Sequence, residues 1–301
     1  MIKLSIVVAT YNRANDLVRT LESLVCQTWP AEEWECVAVD NNSKDNTREL
    51  FEEFRTAHPN LNLKIVGESN QGLSWARNRG IAESCGEIIA IIDDDETVNP
   101  DFVRGYIELF ESHPEASAAG GRVIPYYIDG RPRWMSRYTE RPIAGTLDLG
   151  PSIKPFVKGY YPAGGNMAMR RECVEELGAF ATNLGRTGSN PLGGEEKEIM
   201  HRFAAASKAI YYTPTPAIYH YIPSSKLTDE YFVRLCRMCG VSERVMAAGQ
   251  GRLKRAYVSE LIKWGATIVL ATGYLLQGNP PKAAKLIQLR TNVSRGLFDC
   301  K

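Results

Sequence analysis

The chain has 301 residues, of which 44% are hydrophobic and 24% charged, and its net charge is +1. That length means one large domain or two smaller ones, with enough buried surface to fold without a metal or disulfide staple. The composition excludes a disordered, collagen-like or disulfide-rich chain. Charge is unevenly spread: residues 231–301 hold 12 Lys/Arg against 3 Asp/Glu, whereas residues 1–230 hold 24 against 32. The opening MIKLSIVVATYNR reads as a strand and shows no signal-peptide pattern. The seven cysteines (Cys26, Cys36, Cys85, Cys173, Cys236, Cys239 and Cys300) are therefore expected to be reduced and buried, and the location cytoplasmic.

The first hundred residues alternate between two periods. Leu4–Thr10 is a β-branched run suited to a strand buried on both faces. Ala14–Gln27 spaces Leu17, Leu21 and Leu24 as a helix does. Strands follow at Glu35–Val39, Leu63–Val66 and Glu87–Ile92, with helices at Thr47–His58, Gln71–Ser84 and Pro100–Ser112. This alternation predicts a mostly parallel sheet with helices on both faces. Gly120–Ile128 and Ala209–Tyr221 read as later strands, the second interrupted by Pro214 and Pro216, with a Gly/Pro/aromatic-rich stretch over 126–165 between them. Glu195–Ala206 is helical, and from Thr228 the chain is helical with a turn near Gly278.

In open α/β sheets ligands bind beyond the carboxyl ends of the strands. Here those ends carry Tyr11-Asn12-Arg13, Asp40-Asn41-Asn42 and Asp93-Asp94-Asp95. Three adjacent carboxylates repel one another unless a cation neutralises them, and hard divalent cations such as Mg²⁺ or Mn²⁺ accept carboxylate oxygens. The alternative is a solvated acidic turn favouring the next helix N-terminus. No glycine follows the first strand in TYNRAND, which excludes a dinucleotide fingerprint or P-loop there. A diphosphate would then need a metal and Arg or Lys, with Arg77 and Arg79 as candidates.

Taken together, VVATYNR (7–13), DNNSKDNT (40–47), NQGLSWARNRG (70–80), IIDDDETVNPDFV (91–103), YPAGGNMAMRRE (161–172) and LGRTGSNPLGGEEKEIMHRF (184–203) resemble the family 2 glycosyltransferases of the GT-A fold. The resemblance covers residues 3–225. It implies a GT-A catalytic domain over 1–225, with a donor half to about 115 and an acceptor and catalytic half over 116–225, followed by a basic helical extension over 226–301. It further implies inverting transfer of a sugar from a nucleoside-diphosphate donor, usually a UDP-sugar, to an acceptor hydroxyl in polysaccharide or glycolipid synthesis.

By that resemblance Asp40 would accept a hydrogen bond from the base, and Thr10, Tyr11 and Arg13 would line the nucleoside pocket. Arg77 would meet the diphosphate. The D-x-D pattern falls on Asp93 and Asp95. Asp95 would ligate a divalent metal (Mn or Mg), and Asp93 and Asp94 would touch ribose, donor sugar or metal in an order left open. His220, where many members carry a histidine, could join the metal or the diphosphate. Gly164-Gly165-Asn166 would let backbone approach donor sugar or acceptor, with Asn166 as a donor contact. The family's Glu-Asp pair is Glu195-Glu196 here. Glu196 aligns with the catalytic base, with Glu195 in reserve; its carboxylate sits one methylene further out and has similar intrinsic basicity.

The uncharged stretch Trp264–Leu276 is shorter than the ~20 residues needed to span a bilayer. It reads either as a buried core helix or as a helix on an anionic membrane surface, with Trp264 and Tyr274 near the headgroups, at the inner face of the cell membrane. The expected partners are a nucleotide-sugar and a carbohydrate or lipid-linked acceptor, with no nucleic acid. Two rivals remain: a catalytically inactive nucleotide-sugar-binding partner subunit, and a nucleotidyltransferase on a similar sheet.

Overall fold

The computed structural model describes residues 1–157, 159–187 and 192–299. Residues 188–191, within the segment 184–203, and Cys300 lie outside the described residues. The first strand, β1 (Leu4–Thr10), is buried along its whole length. It is followed by α1 (Ala14–Leu24), β2 (Trp34–Asp40), α2 (Thr47–Ala57), β3 (Leu63–Gly67), α3 (Leu73–Glu83) and β4 (Ile88–Asp93). The β-branched and apolar runs of β1, β2 and β4 suit strands covered on both faces by helices. The order β3-β2-β1-β4 is parallel throughout. Its register sets Thr10 beside Asp40 and Ala9 beside Asp93, so the polar residues after these strands emerge at one edge.

Beyond β4 the chain forms β5 (Glu96–Val98), α4 (Phe102–Ser112), β6 (Ala116–Tyr127), α5 (Arg137–Ala144), β7 (Lys154–Pro155), β8 (Met167–Arg170), α6 (Arg171–Leu177), α7 (Glu195–Ala205) and β9 (Ala209–Ile222). β8 joins β4 antiparallel, β6 joins β8 antiparallel, and β9 pairs antiparallel with β5 and β7. The sheet is thus mixed: one half is parallel and the other antiparallel.

β9 runs unbroken through both prolines. The Asn99 amide bonds Thr215 O and accepts from Ala217 N–H, at 3.0 and 2.9 Å, supplying pairing that Pro216 cannot make. The stretch over 126–165 is not one loop, since it holds α5 and β7 and pairs Leu147 with Val123. Cys36, Cys173 and Cys236 are buried as expected, but Cys26 and Cys85 lie exposed just past the ends of their helices and Cys239 on the exposed side of α8.

By contacts the chain divides into two compact units. The first comprises residues 1–125, 146–188 and 195–221, and contains the strand ends described above. Its core has a large cluster around Leu17, Trp34, Phe51, Phe102 and Tyr106 and a smaller one around Met167, Phe180, Ile199 and Phe203. The second unit comprises 126–145, 189–194 and 222–301. It contains α5 and the long helices α8 (Asp229–Gly249), α9 (Leu253–Leu276) and α10 (Pro280–Phe298). Segment 126–145 lies within the expected catalytic region yet belongs to this second unit, because Met135, Ile143 and Ala144 share a core with Phe232, Cys236 and Leu289. Among the described residues, no helix is long and apolar enough to cross a membrane.

Candidate active site

The loops after β1, β2 and β4 open onto a shared, solvent-facing cavity. Thr10, Tyr11, Arg13 and the run Asp93-Asp94-Asp95 line it, together with three residues sequence reasoning did not assign: Asn41, Gln71 and Arg186. Asn41 organises one wall. Its Oδ1 accepts from Gly72 N–H at 2.7 Å, and its Nδ2 donates to Glu68 O and Asn70 O. Gly72 starts α3 at φ +148, and a Cβ there would also meet Thr187 Oγ1 at 3.2 Å. Tyr11 is partly exposed, its ring free to cover a planar ligand. Asp40 is buried beside the cavity, where its carboxylate accepts from Ser43 N–H at 2.9 Å and Arg48 Nε at 2.7 Å. Those two bonds leave lone pairs for a further donor.

The acidic run is held by cations of the chain itself. Arg13 Nη1 donates to Asp94 at 2.9 Å and to Asp95 at 3.0 Å. Arg77 Nη2 donates to Asp93 at 2.7 Å. Burial raises Asp93, but the charges of Arg77 and Arg186 and the Arg77 hydrogen bond together hold the carboxyl below its ordinary range. Burial pushes Asp94 up, and Arg13 opposes that only in part. Glu96, the fourth acid of the run, lies fully inside; burial and the charges of Asp93 and Asp95 raise it strongly.

Carboxylate oxygens of Asp93, Asp95 and Glu96 lie within 4.8 Å of one another. His220 sits opposite Glu96 in the β5–β9 pairing, with Nε2 at 3.8 Å from Asp95 Oδ1. Three crowded carboxylates with an imidazole beside them fit a hard divalent cation, which would relieve the repulsion that raises Glu96. Glu96 is a member that sequence reasoning missed. The signal was available, since it extends the DDD run by one residue and begins the strand that faces His220.

Two of the expected donor contacts, Arg77 and Asn166, are buried and engaged within the protein. Arg77 is only 1% exposed. Its Nη1 donates to Glu195 at 2.9 Å, and its Nη2 also donates to Gly164 O. Its guanidinium is therefore engaged within the protein, joining the acidic run to α7; the arginines that line the cavity are Arg13 and Arg186. Asn166 is fully buried, accepting from the Tyr106 hydroxyl at 2.6 Å and donating to Arg122 O and Pro216 O. Both amide protons are used, so it pins β6, β9 and α4. Of the glycines before it, Gly165 serves a close approach of another kind: a Cβ there would collide with the Glu96 carboxylate.

Glu195 and Glu196 open α7, where the helix dipole favours negative charge. Glu195 is buried and tied to Arg77. Glu196 is half-buried, and burial together with the neighbouring Glu195 charge raises its pKa.

An α/β sheet with carboxylates and an arginine at its strand ends, and a glutamate pair opening a nearby helix, defines a glycosyltransferase of the GT-A fold. Residues 5–178 match the model described as Glycosyl transferase family 2, and the chain belongs to that family. It is 26% identical to glucosyl-dolichyl phosphate glucuronosyltransferase of Haloferax volcanii, over 81% of this chain and 77% of that protein. Other curated relatives match over about half of their own length. Among solved structures it resembles the mannosyltransferase PcManGT from Pyrobaculum calidifontis in complex with GDP-Man and Mn²⁺, with a TM-score of 0.60, 18% identity, and 99% of this chain and 88% of that one covered. S. aureus TarS 1–349 in complex with UDP-GlcNAc gives a TM-score of 0.58 and 18% identity, covering 98% of this chain and 91% of that one.

Proposed function

We propose that the protein transfers a sugar with inversion from a nucleoside-diphosphate donor to an acceptor hydroxyl, with Glu196 as base. The observation that carries this reading is the Arg77 bridge, which ties Asp93 of the acidic run to Glu195, the neighbour of Glu196. Tyr11 covers the nucleobase, Asp40 accepts from its edge, and Arg186 faces the diphosphate. A divalent cation held by Asp95, with Asp93, Glu96 and His220 about it, would neutralise charge on the leaving diphosphate. Glu196 takes the acceptor proton as the acceptor oxygen bonds to the anomeric carbon; the bond to the diphosphate oxygen breaks, and the diphosphate leaves with the electron pair.

The bound ligands of the solved relatives, GDP-Man and UDP-GlcNAc, support a nucleotide-sugar donor. The name of the Haloferax relative supports an acceptor on a lipid-linked sugar. The test is a thermal-shift panel of UDP-, GDP- and dTDP-sugars, each with Mn²⁺, Mg²⁺ or EDTA. Ligand at 100 times its Kd adds about 2.7 kcal/mol. Stabilisation by one nucleotide class that EDTA abolishes is expected; a flat panel would overturn the donor site. Donor binding without turnover on any lipid-linked or oligosaccharide acceptor would favour an inactive partner subunit.

A further inference from the structure

In a surface helix of a soluble protein the apolar stripe faces the core and the polar face meets water. Helix α9 is built the other way round. Leu253 and Tyr257 pack inward at its start, and beyond them its packed face is mostly polar or small. Glu260 is buried and accepts from Arg290 of α10 at 2.9 Å and from the Ser294 hydroxyl at 2.8 Å. Trp264 Nε1 donates to the same Ser294, so this indole turns toward α10 and not outward, where the membrane-surface reading of the sequence would have set it. Ala256, Thr267 and Ala271 complete the packed face.

The outward face carries the large aliphatic side chains. Val258, Ile262, Val269 and Leu276 recur at helical spacing, flanked by Leu261 and Ile268, and all are more than half exposed; Ile262 reaches 70%, Val269 71% and Leu276 84%. The stripe is about 27 Å long at 1.5 Å per residue. A continuous apolar face of this size on a protein surface marks an interaction site.

Charge indicates what covers it. Arg252, Lys254 and Arg255 are exposed at the start of α9, and Lys263 is exposed along its side. The helix has no acid in its first turn. Basic residues at a helix N-terminus oppose the dipole and so weaken the helix unless an anionic partner compensates. The single acid of α9, Glu260, is turned inward. A second copy of this chain would bring no carboxylate on α9 to match that basic end, whereas an anionic lipid surface accepts both aliphatic side chains and positive charge.

We propose that α9 lies flat on an anionic membrane surface, with its aliphatic stripe among the acyl chains and its basic end at the headgroups. This contact is independent of the glycosyl-transfer reading, since it needs neither donor nor metal.

The experiment is co-sedimentation of the full chain with vesicles of phosphatidylcholine alone and of phosphatidylcholine and phosphatidylglycerol in equal parts, at low and high salt. The wild type is expected to sediment with the anionic vesicles and be released by salt. The double variant Ile262→Gln/Val269→Gln, which keeps helix propensity and charge, is expected to bind about tenfold more weakly or worse. Lys254→Glu/Arg255→Glu is expected to lose the preference for anionic vesicles. Both alter exposed positions, and an unchanged thermal midpoint confirms the fold. Failure of the wild type to sediment would overturn the proposal, as would equal sedimentation by the Gln variant. So would a wild-type dimer in sedimentation velocity that the Gln variant dissociates while vesicles recruit neither form.

Discussion

Glu196 has two neighbours that act on it in opposite senses. Burial and the Glu195 charge raise its pKa, while Arg77 lowers it. A base works only when deprotonated, so a raised value places the acid limb of the kcat profile above the ordinary carboxylate range, with rate rising as pH rises through it. Replacing Glu196 with Gln is expected to lower kcat by roughly 10²–10⁴-fold, to remove this limb, and to leave donor affinity unchanged by calorimetric titration. Glu195→Gln removes the like charge and leaves Arg77 less neutralised. The limb is then expected to move to lower pH, a direction that a purely structural defect would not produce.

At the scale of elements, the runs that became β1, β2 and β4 were legible because strands buried on both faces must be apolar without interruption, and their polar exits then stand out. Thr10, Tyr11, Arg13 and the DDD run, which follow those strands, line one cavity. β5 and β8 were not legible; three or four residues hold too little pattern to betray a strand. Helix α3 shows why the burial of Arg77 was not legible. Ser74, Ala76, Arg77, Gly80 and Ile81 are all buried, so the helix lacks the clear amphipathic period that would mark a solvated arginine.

Arg77→Ala leaves Glu195 buried without its cation and is expected to cost about 3–5 kcal/mol, measured by urea unfolding, together with weaker Mn²⁺ binding in the same protein. Gly80 tests the seating of α3 independently, since a Cβ there would collide with Val7 of β1. Gly80→Ala is expected to cost about 1–3 kcal/mol through overpacking, and to weaken nucleotide binding by shifting the Gly72 end of the helix.

On the scale of the whole molecule, the division into two units predicts where damage should be confined. The second unit rests on the close crossing of α8 and α10. A Cβ on Gly296 would collide with Arg237 O of α8, and one on Gly240 with Val293 O of α10. Neither carbonyl can move without bending its helix, so Gly296→Ala is expected to lose about 1–3 kcal/mol. Every residue assigned to the donor cavity belongs to the first unit. Gly296→Ala should therefore leave the Kd for the nucleotide within twofold of wild type, while Gly80→Ala raises it. Independent sites combine additively to within about 0.3–0.5 kcal/mol, and the Gly80→Ala/Gly296→Ala double variant should show the sum of the two losses in urea unfolding. A coupling well beyond that range, or a nucleotide Kd shifted by Gly296→Ala alone, would show that the helices α8 and α10 act on the donor site and that the two units do not respond separately.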